Sequence, residues 1–486
     1  MNTKSTLFVA LVGLSAALVL GPTGCSTDTL LNVDNPDIVT PGNLTSPAAL
    51  PTIRAGALGD FILAHSGSGA DGSGGTEGQI LASGLLSDEL INSETFPTRI
   101  EVDRRGPILV DNGTAQNWFR TLSRARRAAE FAVAKYREFS DATKFTPAAD
   151  TTKLSGLSEM LSVAGFTYVF FAENYCSGVP FSTANADGSL VYGSPLTSQQ
   201  ELDTAIARFD AAIAAANALT VPAPTFVNLA SVGKARALLD EGQFAAAAAA
   251  VAAVPTSFAY TVTHSENTAR ENNGVFNATA IFKRYAVADQ EGAYASQYAV
   301  SGTGPGLPYR SSADPRIPWR RSPATNTGFD RLTPQFDELR YPSRSAPVTL
   351  ATGAEARLIE AEAHVAAADP TFYATLNALR SAPPAYLAPA GATIPAMGVL
   401  TTDSSTAAGG AVNLLFRERA YWLWLTGHRL SDMRRLVRQY NRPVNTVFPT
   451  GAYFKQSFQY GPDVNFPVPV DELNNPKFVS CIDRNP

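Results

Sequence analysis

The residues most able to do chemistry lie close together in the segment 411–440, AVNLLFRERAYWLWLTGHRLSDMRRLVRQY. Asp432 is three residues from both Arg429 and Arg435, and side chains three apart are neighbours on a helix, so this carboxylate can accept hydrogen bonds from either arginine. An aromatic run precedes these charges, and a charge beside apolar surface needs a partner. A catalytic carboxylate would also need a second acid or a histidine base at a matching spacing, and we find none. The pattern therefore predicts structural ion pairs that hold two core helices together.

Other residues capable of catalysis or metal binding are scattered along the chain. No metal-ligand spacing joins the four histidines, and neither an HExxH sequence nor a Gly-x-Ser-x-Gly elbow occurs. Glu360 and Glu362 are two residues apart on a predicted helix, so they point in different directions. The segment 66–75 contains GxGxxG, but a helix precedes it and no parallel-strand pattern follows, so we interpret it as a flexible loop. We expect a binding protein, not an enzyme, with no metal and no cofactor.

Helices must position the ion pairs, and Gly427 is placed to end one helix before His428 begins the next. Hydrophobic residues recur at helical spacing elsewhere too. The pattern predicts nine further helices: Ala48–Ala64, Gly78–Ile91, Gln116–Phe139, Lys153–Tyr175, Glu201–Ala218, Val227–Asp240, Gln243–Val254, Ala354–Ala368 and Thr371–Arg380. Around Gly242, alanine faces would let two antiparallel helices pack closely, as in half of a tetratricopeptide unit. A strict period of about 34 residues is absent, so periodicity alone predicts a mainly α-helical protein, with or without a solenoid arrangement.

The first 24 residues have the three parts of a secretory signal: Lys4, the apolar run Leu7–Leu20, and small residues before Cys25. The apolar run has 14 residues, fewer than the ~20 that span a bilayer. Gly24-Cys25 is similar to a bacterial lipoprotein cleavage box, although Pro22 occupies a position where a branched aliphatic residue is usual. We expect Cys25 to carry acyl chains such as palmitate, which would anchor the protein to a membrane. The alternative is a secreted protein with Cys25 free.

The remaining cysteines and the net charge restrict the chemistry further. An exported protein meets an oxidising compartment, where a spare pair of cysteines tends to join, so we predict a Cys176–Cys481 disulfide. The formal net charge is −5. An acidic chain gains nothing from phosphate-backbone electrostatics, so we expect no nucleic-acid partner.

Two motifs near the carboxyl end carry a resemblance to a known family. RERAYWLWLTGHRLSDMRRL and NFPVPVDELNNPKF resemble the C-terminal signatures of the SusD/RagB family of outer-membrane nutrient-binding lipoproteins. The matching residues are Glu418, Arg419, Gly427, Arg429, Asp432 and Arg435 in the first motif, and Pro467, Pro469, Glu472, Asn475 and Pro476 in the second. The resemblance implies a mainly α fold, a scaffold of tetratricopeptide-like helix pairs with long irregular loops and a few short strands. It also implies one domain over residues 25–486 after the signal peptide.

The same resemblance implies a function. The protein would lie on the cell-surface side of the outer membrane, bind an oligosaccharide or another bulky nutrient, and act as the lid of a TonB-dependent, SusC-like β-barrel transporter. An alternative is a tetratricopeptide-like lipoprotein scaffold that binds proteins or peptides. A third class, a surface hydrolase, would show itself by turnover of the bound glycan.

Ligand contacts are expected on loops, above all in the Gly-, Pro- and Tyr-rich region 255–348. The resemblance places the family's ligand sites in this region and in an early loop, and sugar rings have apolar faces that aromatic side chains suit. The candidate ligand-binding residues are Phe96, Tyr294, Tyr298, Tyr309 and Trp319. For each of them, packing in the core or within a loop is the alternative.

Overall fold

The computed structural model describes residues 44–69, 77–140, 151–185, 188–219, 221, 223–323 and 326–486, with the side chains of 151–154 excepted. From Leu50 to Pro486 these residues form one compact unit. Cys25 and the predicted signal peptide lie outside the described residues, so both stay predictions. No helix in the described ranges is long and apolar enough to cross a membrane.

Fourteen α-helices form the main part of the described structure. They are α1 Leu50–Ser66, α2 Gln79–Leu86, α3 Pro97–Asp103, α4 Gly113–Phe139, α5 Thr151–Asn174, α6 Ser198–Asn217, α7 Pro224–Asp240, α8 Phe244–Val251, α9 Gly274–Phe276, α10 Gly353–Ala366, α11 Phe372–Ser381, α12 Thr402–Ala408, α13 Ala411–Trp422 and α14 Arg429–Arg438. The mainly α-helical fold that the sequence predicts is confirmed.

Local sequence explains where several of these helices begin and end. The side chain of Asn112 accepts hydrogen bonds from the first turn of α4, and Thr197 and Gln200 form a capping box at the start of α6. Pro224 opens α7, where its missing N–H costs nothing. Gly242 has a φ of 76°, which reverses the chain between α7 and α8.

The helices pack against one another around an aromatic and alanine-rich core. Extensive contacts join α1 to α4, α4 to α5, α5 to α6, α6 to α7, α7 to α8, α8 to α10, and α10 to α11 and α13. At the centre, the ring of Phe166 meets that of Phe209 edge-on at 5.1 Å. Close approach is possible there because Gly165 and Gly233 have no side chain where the ring of Phe209 lies.

Five short antiparallel strand pairs lie outside the helical scaffold in the described residues. The strands are β1 Leu90–Asn92, β2 Val179–Pro180, β3 Thr183–Ala184, β4 Leu190–Val191, β5 Pro195–Leu196, β6 Ala259–Val262, β7 Tyr285–Val287, β8 Trp319–Arg321, β9 Phe336–Glu338 and β10 Val348–Thr352. The pairs are β1–β7, β2–β5, β3–β4, β6–β10 and β8–β9. In β1–β7, Leu90 stands opposite Val287, so the end of α2 is tied to the loop-rich region.

The structure corrects two predicted helices. The helix predicted over Gly78–Ile91 ends at Leu86, because the chain then extends to pair with β7, a partner distant in sequence. The helix predicted to continue to Gly427 ends at Trp422. Here tertiary hydrogen bonds replace helical ones: Leu425 has a φ of 53°, its N–H donates to Glu89, and its carbonyl accepts from Tyr341.

A disulfide joins Cys176, just after α5, to Cys481 near the end of the chain. Backbone hydrogen bonds accompany it, including one of 2.7 Å from the N–H of Ile482 to the carbonyl of Ser177. The C-terminal tail is thereby held against the middle of the chain, as the sequence predicts.

Candidate functional site

The charges at the carboxyl end form a buried network. Asp432 accepts two hydrogen bonds of 2.9 Å from Arg419 and one of 2.7 Å from Arg435. Arg435 also donates to Glu362 of α10, at 3.1 Å for one of its two bonds. Burial works to raise the pKa of Asp432, but the two guanidinium groups outweigh it and hold that pKa far below its usual range. The network joins α10, α13 and α14 and is closed to any ligand, because all four side chains are buried.

Arg429 has a different partner from the one that its spacing suggests. It donates hydrogen bonds of 2.6 and 2.8 Å to Asp88, after the end of α2, instead of pairing with Asp432. The expectation considered neighbours on one helix, whereas Asp88 lies 341 residues away in sequence. Asp88 also accepts from the N–H of Leu307 at 2.8 Å and from the hydroxyl of Tyr309 at 3.3 Å. It therefore connects the helical scaffold to the loop-rich region.

A second buried carboxylate, Asp289, orders the same loops. One of its oxygens accepts from the N–H groups of Arg310 and Ser311 at 3.0 and 2.9 Å, and from the Ser311 hydroxyl at 2.9 Å. The other accepts from Ser301 at 2.7 Å. Loops with little regular secondary structure are thus held in one arrangement, which is what a binding site on loops requires.

Three loops meet at the buried ammonium group of Lys455. Its Nζ donates to the side chain of Asn92 and to the carbonyl of Glu94, both at 3.0 Å, and lies 2.7 Å from the carboxylate of Asp330. Burial lowers the pKa of Lys455, and the charge of Asp330 opposes that shift. The three loops are residues 92–96, 326–335 and 453–460.

Large apolar side chains on these loops are exposed to solvent. They are Phe96 at 48 %, Phe329 at 52 %, Leu332 at 56 % and Phe458 at 37 % exposure, and we call these four residues the loop surface. The guanidinium of Arg104 lies 4.8 Å from the centre of the Phe458 ring, a cation–π distance. Exposed apolar groups concentrated on ordered loops mark interaction sites, so the loop surface is the candidate binding site.

The position of Phe96 is fixed by charged neighbours. The guanidinium of Arg99 lies 5.2 Å from the centre of its ring. Arg99 is itself paired with Glu77 and Glu94, each at 2.7 Å. Burial raises the pKa of Glu94 to about 7, and Arg99 opposes that rise. The ring is thus presented to solvent beside an ordered ion-pair cluster.

Two of the sequence-predicted ligand residues are buried, so the structure does not support their role. Tyr294 packs its ring 5.3 Å from that of Phe454. Tyr309 lies 5.8 Å from the ring of Tyr421, and its hydroxyl donates to Asp88. Both side chains stabilise the loops from beneath and offer no face to a ligand.

Tyr298 and Trp319 are half-buried and lie on segments other than the loop surface. The N–H of Tyr298 donates to the carbonyl of Phe454 at 2.8 Å. Trp319, on β8, meets Phe336 edge-on at 5.6 Å, and the guanidinium of Arg310 lies 5.9 Å from its ring. Of the five predicted aromatic residues, Phe96 alone belongs to the loop surface.

Sequence reasoning missed Phe329, Leu332 and Phe458. A signal was present for the first two, because they stand in NTGFDRLTP among turn-forming residues. Apolar side chains in such a segment have little core to cover, which favours exposure. No comparable signal marks Phe458.

One histidine, His428, lies in a buried cluster of charged groups. No group of three His, Cys, Asp or Glu side chains in the described ranges could hold a metal ion. His428 lies 3.0 Å from Glu355 and 2.8 Å from Arg236. Burial lowers the pKa of His428, and the charge of Arg236 lowers it further. These three groups are buried, so they are closed to a substrate.

Comparison with known proteins shows the class of fold. No family model matches the chain, and no curated protein matches it in sequence. Solved structures do match: a SusD/RagB family protein from Bacteroides thetaiotaomicron is 12% identical, with a TM-score of 0.61 over 88% of this chain and 94% of that one. At this identity the likeness shows a SusD-like fold, which is the fold that the C-terminal motifs predict.

Two further similar structures are of carbohydrate-binding proteins. A laminarin-binding SusD-like protein is 12% identical, with a TM-score of 0.58 over 90% of this chain and 99% of that one. A SusD-like carbohydrate-binding protein from Bacteroides vulgatus is 14% identical, with a TM-score of 0.51 over 84% and 85% of the two chains. At these identities the likeness concerns the fold.

Proposed function

We propose that this protein binds a nutrient glycan through the loop surface and delivers it for uptake. The observation that carries the proposal is the set of exposed apolar side chains on three loops joined by Lys455. Aromatic rings can stack on the apolar faces of sugars, and the flanking charges can bind their hydroxyl groups. The superfamily fold and its carbohydrate-binding members support the choice of ligand.

Calorimetry against a panel of soluble glycans, including laminarin, tests the binding function. For a glycan that binds, we expect Phe96→Ala and Phe329→Ala each to lower the affinity by about tenfold or more. A central aromatic contact contributes ~1–2 kcal/mol or more to binding. Phe131→Ala is the matched control, because Phe131 is 43 % exposed on α4 and should leave affinity unchanged. Retention of peptides with no glycan bound would favour the protein-binding scaffold instead, and turnover of the glycan would indicate a hydrolase.

We propose that acyl chains on Cys25 hold the protein on the outer membrane. The signal-like first 24 residues and the cysteine that follows support this. Cells grown with labelled palmitate should incorporate it into the protein, and Cys25→Ser should abolish the label and release the protein from the membrane fraction. An equally labelled Cys25→Ser variant would contradict the anchor.

We also propose that the protein acts as the lid of a TonB-dependent, SusC-like β-barrel. The superfamily fold and the predicted lipid anchor support this partner. Purification of the native protein in mild detergent should recover a large outer-membrane barrel. Repeated recovery of the chain alone would count against the lid.

A further inference from the structure

A cavity of about 330 Å³ lies between α4 and the β3–β4 hairpin, away from the residues of the loop surface. This volume is at the lower end of the ~300–1,000 Å³ that small-molecule sites occupy. Its walls combine cationic, hydroxyl and aromatic groups. They include Arg124, Arg126, Arg127, Phe181, Ser182 and Glu472.

Three arginines of α4 line this cavity, and among the described residues of the lining only one carboxylate, that of Glu472, opposes their charge. Arg124 lies 3.1 Å from Asp60, which is outside the cavity and is shared with another arginine. Arg127 is exposed, and within the described part of the chain it has no ion-pair partner. Arg124 and Arg127 are three apart on one helix, where like charges repel. A bound anion would relieve that repulsion.

Arg126 is a buried arginine in the lining of the cavity. It is only 5% exposed, donates to the carbonyl of Ser182 at 2.7 Å, and lies 5.3 Å from the centre of the Phe181 ring. Its Nε has no hydrogen-bond partner among the described residues. Phe181 is in turn held edge-on by Tyr168 at 5.0 Å. The charge and the ring therefore occupy fixed positions before any ligand arrives.

We propose that this cavity binds a sugar unit that carries a carboxylate, such as a uronic acid. The planar guanidinium groups match a carboxylate in shape and charge, and the ring of Phe181 and the hydroxyl of Ser182 suit the remainder of a sugar. The site is separate from the loop surface and goes beyond the proposed glycan binding there.

Glu472 should make anion binding at this site depend on pH, with tighter binding at lower pH. Burial raises the pKa of Glu472 and the neighbouring charge of Asp471 raises it further, while the charge of Arg126 opposes the rise without cancelling it. Protonation of Glu472 removes the one negative charge that the described residues place in the lining, so uronate affinity should rise as the pH is lowered from 7.5.

Calorimetry at low salt with glucuronate, glucose and inorganic phosphate tests the proposal. We expect glucuronate to bind at least tenfold more tightly than glucose or phosphate. Its affinity should fall as salt is added. Arg127→Gln and Arg124→Gln should each lower the affinity for glucuronate about tenfold. Arg137→Gln is the matched control, because Arg137 is exposed on the same helix, ten residues beyond Arg127, and lies outside the cavity.

Three results would overturn the site. They are equal binding of glucose, phosphate binding as tight as that of glucuronate, and glucuronate affinity unchanged in both arginine variants with unaltered melting temperatures. The Phe96→Ala variant separates the two proposals, since it should keep its affinity for glucuronate. Wild-type protein that binds glucuronate but no glycan at the loop surface would contradict only the proposed function. Wild-type protein that binds the glycan but not glucuronate would contradict only this site.

Discussion

Asp432 has no water to solvate its charge, so its arginine partners must do so. At 2% exposure the carboxylate depends on the three hydrogen bonds from Arg419 and Arg435. A buried ion pair adds little over a well-packed apolar pair, but removing one partner leaves the others buried and uncompensated. The network therefore stabilises the packing of α10, α13 and α14 only while it is complete.

Asp432→Asn tests this dependence. The change keeps the shape and leaves two guanidinium groups with one charged neighbour fewer, so we expect the free energy of unfolding to fall by ~3–5 kcal/mol. Urea denaturation followed by circular dichroism measures it. Asp403→Asn, at an exposed position on α12, should change stability by no more than about 0.5 kcal/mol. Equal stability of Asp432→Asn and wild type would show that the network is dispensable.

Glu89 makes stability depend on pH, because its buried carboxylate is poorly compensated by positive charge. Burial raises its pKa from 4.5 to about 8, although the N–H of Leu425 opposes the rise. Between these two values the folded state holds a proton that the unfolded state has lost. Stability from this group is therefore fully present below about pH 4.5 and is lost as the pH rises towards 8.

Glu89→Gln should flatten that dependence. The amide keeps the acceptor for Leu425 and cannot ionise, so the variant should lose less stability than wild type between pH 5 and pH 8, by up to ~1.4 kcal/mol per pH unit. Unfolding by urea at four pH values in this window measures both slopes. Glu138→Gln, an exposed site on α4, should keep the wild-type slope. Identical slopes in Glu89→Gln and wild type would contradict the assignment.

At the scale of single elements, the helices were predictable because their signals are local. The apolar face of α4, with Trp118, Leu122 and Ala129, repeats within the helix itself. The end of α13 was not predictable, because it depends on the hydrogen bonds that Leu425 makes with Glu89 and Tyr341. Those partners lie 336 and 84 residues away in sequence, so no local pattern contains them.

Gly233→Ala tests how closely α7 must approach its neighbours. A Cβ there would lie 2.3 Å from the ring of Phe209 and 3.0 Å from that of Phe166, so we expect a loss of ~1–3 kcal/mol from overpacking. Gly56→Ala on α1 is the control: its Cβ would meet nothing within 4 Å, and alanine should stabilise the helix by ~0.5–1 kcal/mol. Thermal unfolding compares the two. Similar melting temperatures for both variants would refute close packing at Gly233.

At the scale of the whole molecule, the fold could be inferred but the candidate site could not. Helical periodicity and the C-terminal motifs were sufficient for a helical scaffold with loops. The loop surface depends on Lys455 meeting Asn92, 363 residues earlier, and on Asp330 from a third loop. Because such contacts leave no trace in spacing, buried Tyr309 and exposed Phe329 could not be told apart by residue type.

The disulfide acts on this same scale, because it links residues 305 positions apart. The hydrogen bond between Ile482 and Ser177 does not require it, so the Cys176→Ser, Cys481→Ser double variant should fold with its unfolding free energy lowered by ~2–5 kcal/mol. In the denatured wild type, reduction should release two more thiols than are found without reduction. Cys25→Ser should keep both that difference and the wild-type stability. Equal thiol counts before and after reduction would exclude the bond, and the C-terminal tail would then depend on its hydrogen bonds alone.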